Sequence, residues 1–356
     1  WVADMDFRAP KIIQEKLRGI NSHGIYGYYG DHKEYNNSIK WWMKNRHNWE
    51  IDTSWIFTTH GLVNGTGLCI DAFSKPGDGI ILFTPVYYQF SNLVEAAGRK
   101  VLECPLKLID NQYHFNFVAY ERNLSGDEKM VILCSPHNPG GRVWTKNELQ
   151  EVAKFAKKHD LVLVSDEIHH DLVYPNKSHT VMPIADPYVC DRLVMMTATT
   201  KTFNIAGAHS GNVIISNPNL RQKFSQRIKA LGISPNSFGL FMATAAYSPE
   251  GAQWLDELMH YIDGNRVIFD REINKIPGLS SMPLEGTYLA WVDFSGTGME
   301  EKEFIYRVQE KAKIAVNHGS TFGTGGEKFL RFNLATPRTL VVEATKRLKD
   351  AFSDLQ

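Results

Sequence analysis

The sequence predicts an α/β protein with a large domain, built on a mostly parallel sheet flanked by helices, and a smaller α+β domain. Short apolar runs rich in Val, Ile and Leu, without polar alternation, are typical of strands buried on both faces. An amphipathic segment separates two of these runs, and strand, helix and strand at this spacing form a βαβ unit. The chain has 356 residues, which is enough for two domains.

Four runs predict the strands of the large domain: Gly79–Pro85, Met130–Pro136, Leu161–Asp166 and Leu193–Thr200. Between the second and third runs, Thr145–Lys158 has apolar residues at helical spacing. Thr145 is a good N-cap, and Glu148 follows three residues later, at the spacing of a capping box. We therefore expect a capped helix that links two parallel strands.

The pattern changes beyond about Pro249. The predicted elements are a long amphipathic helix over Gly251–Lys275, a strand at Gly286–Phe294, a helix near Met299–Lys313, a strand at Phe329–Leu334 and a closing helix from Leu340. This order is typical of a small α+β domain. We assign residues 27–250 to the large domain, and residues 1–26 and 251–356 to the small domain.

The composition restricts the partners and the compartment. Lys+Arg and Asp+Glu both number 39, and this balance argues against nucleic acid or an anionic membrane as a partner. No apolar run approaches the roughly 20 residues that a membrane-spanning helix needs. The four cysteines form no C-x-x-C pair, which favours a reduced, cytoplasmic compartment.

Each predicted strand of the large domain is followed by a residue that can bind a ligand: Tyr87, Asn138, Asp166 and Lys201. In an open α/β sheet, ligands bind at the carboxyl ends of the strands. Alone, the tyrosine is explained by packing, the asparagine by a turn, the aspartate by a helix cap and the lysine by solvation. The combination is far more specific than any member.

The combination matches the needs of pyridoxal 5′-phosphate (PLP). Asp166 can pair with the protonated pyridine nitrogen, and Asn138 can donate a hydrogen bond to the phenolic oxygen. Tyr87 can stack on the ring, and Lys201, with a lowered pKa, can react with the aldehyde.

A glycine turn at Gly61, Leu62 and Val63 enters a predicted helix. Backbone N–H groups at a helix start can bind the PLP phosphate. An ordinary strand-to-helix turn would have the same sequence, so this motif alone leaves both interpretations open.

Several motifs resemble the fold-type I PLP-dependent enzymes, the aspartate aminotransferase superfamily: Pro85-x-Tyr87, His137–Gly141, Ser165–His169, Thr200–Asn204 and Arg331–Asn333. Within that superfamily, Trp1–Phe7 and His23–Tyr28 resemble the carbon–sulfur lyase branch, which contains bacterial cystathionine β-lyases and cysteine desulfhydrases. The resemblance extends from Trp1 to about Arg338, nearly the whole chain.

The resemblance implies that Lys201 forms a Schiff base with PLP and later acts as acid and base. It also implies that Asp166 pairs with the pyridine nitrogen, that Asn138 binds the phenolic oxygen and that Tyr87 stacks on the ring. Arg331 matches the arginine that binds the substrate α-carboxylate, a task suited to a bidentate guanidinium. A surface ion pair at a strand edge is the structural alternative for this arginine.

The resemblance also implies an obligate homodimer with shared active sites, because Tyr28 matches a tyrosine that reaches the neighbouring subunit's phosphate. Thr200, directly before the lysine, is a further candidate phosphate ligand. Two positions depart from the aminotransferase pattern: His169 stands where a tyrosine contacts the cofactor, and His209 stands where an arginine binds phosphate. These departures favour the lyase branch. The pair His169-His170 is weak support for a metal site, and no metal is expected.

The expected activity is β-elimination of a thiol from L-cystathionine- or L-cysteine-type substrates, which gives pyruvate and ammonia. A class I or II aminotransferase is the alternative, because the same residues serve both reactions. A regulatory PLP-fold protein that binds a protein partner is a third hypothesis, which the intact catalytic residues disfavour. Formation of pyruvate separates the first hypothesis from the second.

Overall fold

The computed structural model describes residues 2–355. Its strands are β1 (Ile56–Thr59), β2 (Gly79–Leu82), β3 (Lys100–Glu103), β4 (Lys107–Ile109), β5 (Gln112–His114), β6 (Glu128–Cys134), β7 (Val162–Asp166), β8 (Leu193–Thr197), β9 (Gly211–Ile214), β10 (Ser280–Ser281), β11 (Leu289–Asp293), β12 (Asn317–His318) and β13 (Phe329–Asn333). Its helices are α1 (Lys11–His23), α2 (Lys33–His47), α3 (Leu62–Phe73), α4 (Gln89–Ala96), α5 (Phe117–Glu121), α6 (Lys146–Lys158), α7 (Met182–Ala185), α8 (Thr199–Thr202), α9 (Pro218–Ala230), α10 (Ser237–Ala246), α11 (Pro249–Ile273), α12 (Glu301–Tyr306) and α13 (Arg338–Ala351).

Seven strands form the main sheet in the order β1-β9-β8-β7-β6-β2-β3. Neighbouring strands are parallel except at β9, which runs antiparallel to β1 and β8. The four strands predicted from apolar runs are β8, β7, β6 and β2, and they lie side by side. Their carboxyl ends therefore meet at one edge of the sheet. The predicted α/β class with a mostly parallel sheet is confirmed.

Both faces of the main sheet are covered, which explains the unbroken apolar runs. In β2, Ile80 and Leu82 belong to one hydrophobic cluster, and Ile81 belongs to the cluster on the opposite face. Successive side chains of a strand point to opposite faces, so a doubly covered strand needs an apolar residue at every position. Helix α6 connects β6 to β7 and begins at the predicted capping box of Thr145 and Glu148.

A second, antiparallel sheet has the strand order β10-β11-β13-β12. Its core includes Trp291, whose ring stacks on Phe329 with the centroids 5.0 Å apart. In this sheet Arg331 pairs with Trp291 on one side and with Asn317 on the other. The second sheet therefore holds Arg331 in a central strand rather than at a solvent-exposed edge.

Several predicted boundaries differ from the structure. The run Leu193–Thr200 is a strand only to Thr197, and residues Thr199–Thr202 form the short helix α8. The helix expected near Met299–Lys313 is α12 followed by a π-helical turn at Arg307–Lys311. Apolar content alone does not mark the turn at α8, because Thr199, Thr200 and Thr202 remain buried there.

The division into two domains remains a prediction. Helix α11 spans the predicted boundary as one continuous helix of 25 residues. None of the helices within residues 2–355 is both long and apolar enough to cross a membrane.

Candidate active site

A cavity of about 500 Å³ opens where β2, β6, β7 and β8 end. Its walls contain ten of the eleven residues that the sequence singled out: Gly61, Leu62, Val63, Tyr87, Asn138, Asp166, His169, Thr200, Lys201 and Arg331. The remaining residue, Tyr28, lies elsewhere and is fully exposed. Residues from six separate segments of the chain thus converge on one cavity.

Lys201 reaches the cavity from the helical turn α8, which follows directly on β8. Its Nζ donates a hydrogen bond to the carbonyl oxygen of Ala3 at 2.7 Å and lies 3.6 Å from a carboxylate oxygen of Asp4. Burial lowers the pKa of Lys201, and the charge of Arg331 lowers it further, whereas Asp4 opposes the change. A larger fraction of this amine is therefore neutral than for a solvated lysine.

Asp166 is the last residue of β7, and it is buried in the wall of the cavity. One oxygen accepts a hydrogen bond from the backbone N–H of Ile168 at 3.1 Å. Burial raises the pKa of Asp166 to about 7, against the effect of this bond. A cationic N–H group in the cavity would restore the ionised form, because an opposite charge nearby favours the carboxylate.

Asn138 and Arg331 are bound to each other. Arg331 donates from Nη1 to Oδ1 of Asn138 at 2.9 Å and from Nη2 to Oδ1 of Asn317 at 2.7 Å. Burial lowers the pKa of Arg331 to about 10, so the guanidinium stays charged at neutral pH. Two neutral amides help to orient this cation. Arg331 is 4% exposed, so the surface position considered as the alternative from the sequence is wrong.

Tyr87 and His169 contribute flat rings to the walls. Burial raises the pKa of Tyr87 to about 12, so its phenol is neutral. Burial lowers the pKa of His169 to about 3, and the charges of Lys201 and Arg331 act in the same direction. The Nδ1 atom of His169 is buried without a hydrogen-bond partner among residues 2–355. His169 therefore presents a neutral imidazole ring to the cavity.

The start of helix α3 forms another wall through Gly61, Leu62 and Val63, and Thr200 lies in the same cavity. Gly61 has φ 82°, a conformation that favours glycine, and within the described chain no side chain caps this helix. The first N–H groups of an uncapped helix need an acceptor, and the helix dipole favours an anion. This geometry fits a phosphate.

Two sets of contacts at the cavity could not be found from the sequence. Ala3 and Asp4 belong to a motif that carried the family resemblance, but their contact with Lys201 joins residues 198 positions apart. Asn317 was not singled out, because only its pairing with β13 brings it beside Arg331. The one sequence feature that could have drawn attention to Asn317 is its position just before the Gly-rich segment 318–326.

The cavity fits PLP on three observations. Asp166 is a buried acid that a cationic ring nitrogen would stabilise, α3 presents an uncapped N-terminus, and Lys201 has a lowered pKa. These groups match an aromatic cation, a phosphate and an aldehyde. Asn138 uses its amide oxygen on Arg331, which leaves its Nδ2 group as the donor for a phenolic oxygen.

Comparisons with known proteins agree with this site. The family "Aminotransferase class I and II" matches residues 5–348. Cystathionine beta-lyase PatB of Bacillus subtilis is 36% identical over 356 residues, which are 99% of this chain and 92% of that protein. The crystal structure of cystalysin from Treponema denticola, which contains PLP, superposes with a TM-score of 0.95 at 39% identity and covers 100% of this chain and 91% of that chain.

A PLP-bound C-S lyase from Staphylococcus hominis superposes with a TM-score of 0.91 at 28% identity, covering 99% of this chain and 90% of that chain. Sequence, fold and site thus lead to the same family over nearly the full length. The chain belongs to the class I and II aminotransferase family of PLP-dependent, fold-type I enzymes, and within it to the carbon–sulfur lyase branch.

Proposed function

We propose that the protein is a PLP-dependent β-lyase that eliminates a thiol from L-cystathionine- or L-cysteine-type substrates and yields pyruvate and ammonia. The observation that carries this proposal is the convergence of Lys201, Asp166 and Arg331 on one cavity, each with a pKa shifted by burial. The similarity to proteins named cystathionine beta-lyase and C-S lyase supports the choice of reaction.

Substrate binding begins with the α-carboxylate, which Arg331 receives with its oriented guanidinium. A fixed carboxylate leaves the substrate amino group and Cα to be directed toward Lys201. Asp166 would hold the ring nitrogen of PLP, and Asn138 the phenolic oxygen. When bound, PLP supplies an electron sink for the negative charge that develops at Cα as its proton leaves.

Lys201 is the base for this proton, because its lowered pKa increases the fraction of neutral amine. As the Cα–H bond breaks, the proton goes to Nζ. The Cβ–S bond then breaks, and the sulfur leaves with the bonding electron pair. The lysine ammonium can return a proton to the leaving thiolate. The released three-carbon enamine takes up water and gives pyruvate and ammonia.

The direct test is to incubate purified holoenzyme with L-cystathionine or L-cysteine and to measure pyruvate and free thiol. We expect the two products in equal amounts, and no turnover by Lys201→Ala, which should also lose the visible absorbance of lysine-bound PLP. If neither substrate gives pyruvate or thiol while PLP remains bound, the proposed reaction is wrong.

An aminotransferase is the second candidate, because the family match covers class I and II aminotransferases and the same residues serve both reactions. An amino-group transfer assay with a 2-oxo acid separates the two. Conversion of the acceptor to an amino acid, without pyruvate and thiol from the donor, would favour transfer.

We also propose that the enzyme is a homodimer in which Tyr28 contacts the phosphate in the partner's site. Tyr28 is fully exposed, and Ile25 and Tyr26 on the same segment are 70% and 59% exposed. Adjacent exposed apolar side chains are typical of an interface. This support is independent of the reaction that the enzyme catalyses.

A further inference from the structure

Behind the catalytic cavity lies a buried cluster of imidazoles and carboxylates that the proposed reaction does not use. His47, the last residue of α2, meets His170 and Asp171 from the segment after β7. One ligand atom from each residue can be chosen so that all lie within 4.8 Å of one another. The side chains of His170 and Asp171 are fully buried, and that of His47 is 6% exposed. These three residues are called the His47 cluster below.

The tautomer of His170 follows from its contacts. Its Nδ1 lies 2.6 Å from the carbonyl oxygen of Glu167, and against a carbonyl this nitrogen must be the N–H donor. The other ring nitrogen, Nε2, is buried without a hydrogen-bond partner among residues 2–355. It lies 3.4 Å from a carboxylate oxygen of Asp171.

Asp171 is held in place from outside the cluster. Trp42 donates from Nε1 to Oδ1 at 2.9 Å, and the hydroxyl of Thr202 donates to Oδ2 at 2.9 Å. His47 Nε2 lies 2.8 Å from Oδ1.

The buried acids of this region pair with histidines. A second buried carboxylate, Glu167, accepts a hydrogen bond from His179 at 2.6 Å. Within residues 2–355, the ion-pair partners of Glu167 and Asp171 are all imidazoles, with no lysine or arginine. An ionised buried carboxylate is costly unless a proton on a neighbouring imidazole or a bound cation balances its charge.

We propose that His47, His170 and Asp171 bind a divalent transition-metal ion of the zinc class through two imidazole nitrogens and one carboxylate. Zn²⁺ at 2.0–2.2 Å from such ligands places neighbouring tetrahedral ligand atoms roughly 3.3–3.4 Å apart. The separation of His170 Nε2 from Asp171 Oδ2 is 3.4 Å. The ion would use the unpaired lone pair of His170 and balance the buried carboxylates.

The surroundings match those of known metal ligands. A histidine that binds metal through one nitrogen usually donates its other N–H to a carbonyl or carboxylate, as His170 does to Glu167. The hydrogen bonds from Trp42 and Thr202 orient the carboxylate in the same way. Thr202 directly follows Lys201, so the ion would also stabilise the turn that carries the catalytic lysine.

The sequence alone gave no metal site, because only His170 and Asp171 are neighbours in the chain. His47 lies 124 positions before Asp171, and its approach depends on how α2 packs against the segment after β7. The third ligand is therefore a tertiary feature.

The test is a zinc titration of holoenzyme that has first been dialysed against a chelator. By isothermal titration calorimetry we expect one equivalent per chain, and a loss of affinity of at least about tenfold in His170→Gln. His159→Gln is the matched control, because His159 is a partly buried histidine that pairs with Glu121 outside the cluster. This control should bind zinc as the wild type does.

X-ray absorption at the zinc edge gives a second readout that needs no variant. We expect nitrogen and oxygen neighbours with imidazole features and no sulfur, although the chain has four free cysteines. Sulfur ligands, undiminished affinity in His170→Gln, or no zinc uptake by the wild type would each overturn the proposal. In the last case, the imidazoles balance the buried carboxylates as protonated partners.

Discussion

Burial favours the neutral form of several groups that face the cavity. It raises the pKa of Asp166 and lowers the pKa values of Lys201 and His169. Asp166 can act as a counter-ion only when it is ionised, and burial without a ligand disfavours that form. The site is therefore built for a cofactor whose own charge offsets the burial.

The first prediction concerns the stability of PLP-free protein and its dependence on pH. The pKa of Asp166 is about 7 in the fold and about 3.9 in an unfolded chain. The folded state therefore binds a proton that the unfolded state has lost, and stability falls as pH rises through this window. Between pH 5 and pH 8 this residue should cost about 2–3 kcal/mol.

The Asp166→Asn variant should lose that part of the pH dependence. Urea unfolding of both PLP-free proteins at pH 5 and pH 8 measures the free energy of unfolding. The difference in stability between the variant and the wild type should shift in favour of the variant at pH 8. Equal pH dependence in the two proteins would show that Asp166 is already ionised at pH 5.

The second prediction concerns substrate binding by Arg331. In Arg331→Lys, the planar, bidentate guanidinium is replaced by a point charge. A lost charge-assisted hydrogen bond costs about 1.5–3 kcal/mol, so we expect KM for cystathionine to rise about ten- to hundredfold. Arg266→Lys, on the surface of α11, is the control and should leave KM unchanged. A fall in kcat alone, with KM unaltered, would assign Arg331 another role.

At the scale of elements, the segment of residues 2–7 forms a strap over the cavity. Asn333, two residues after Arg331, donates from Nδ2 to the carbonyl oxygens of Val2 and Asp4. Asn204, three residues after Lys201, binds backbone groups further along the strap. The segments that carry Lys201 and Arg331 therefore also hold the strap.

The third prediction tests this attachment through Asn204. This residue accepts from the N–H of Met5 and donates to the carbonyl oxygens of Met5 and Phe7, at 2.8–2.9 Å. Its φ of 54° makes glycine the substitution without backbone strain. In Asn204→Gly we expect amide exchange in the strap to rise about tenfold or more, because three hydrogen bonds are lost.

Hydrogen exchange read by mass spectrometry on the peptide of residues 2–7 provides the measurement. The matched control is Asn176→Gly, since Asn176 is an exposed asparagine with φ 72°. Faster exchange in both variants, or in neither, would mean that Asn204 does not hold the strap.

The parts of the fold that local sequence controls were predictable. The runs that became β2, β6 and β7 are largely apolar because both faces are covered, and the capping box of Thr145 and Glu148 is a contact within one turn. The strap contacts, and the orientation of Arg331 by Asn317, join distant segments. Neither periodicity nor spacing reports such contacts, because they depend on how the sheets and helices pack.

At the scale of the molecule, the exposed segment around Tyr28 is the surface that the single chain leaves unexplained. Tyr26 packs on Phe238 of α10 with centroids 5.8 Å apart, whereas Tyr28 has no cover from its own chain. Tyr28 is absent from the walls of its own cavity. Both facts agree with a side chain that acts in a partner's site, and both leave the assembly to be tested.

The fourth prediction is subunit complementation. In Tyr28→Phe, each site would lose one hydrogen bond to the phosphate, and PLP affinity should fall about ten- to hundredfold. Lys201→Ala is inactive but still supplies Tyr28. A hybrid of the two variants would contain one site with both Lys201 and a Tyr28 from the other chain.

At limiting PLP, a reassembled mixture of Tyr28→Phe and Lys201→Ala should therefore be more active than Tyr28→Phe alone. The matched control replaces Lys201→Ala by the double variant Lys201→Ala/Tyr28→Phe, whose hybrids lack the tyrosine in every site. Because both mixtures contain the same number of active lysines, a difference between them can come only from Tyr28 acting across an interface. Equal activity in the two mixtures would mean that each chain completes its own site.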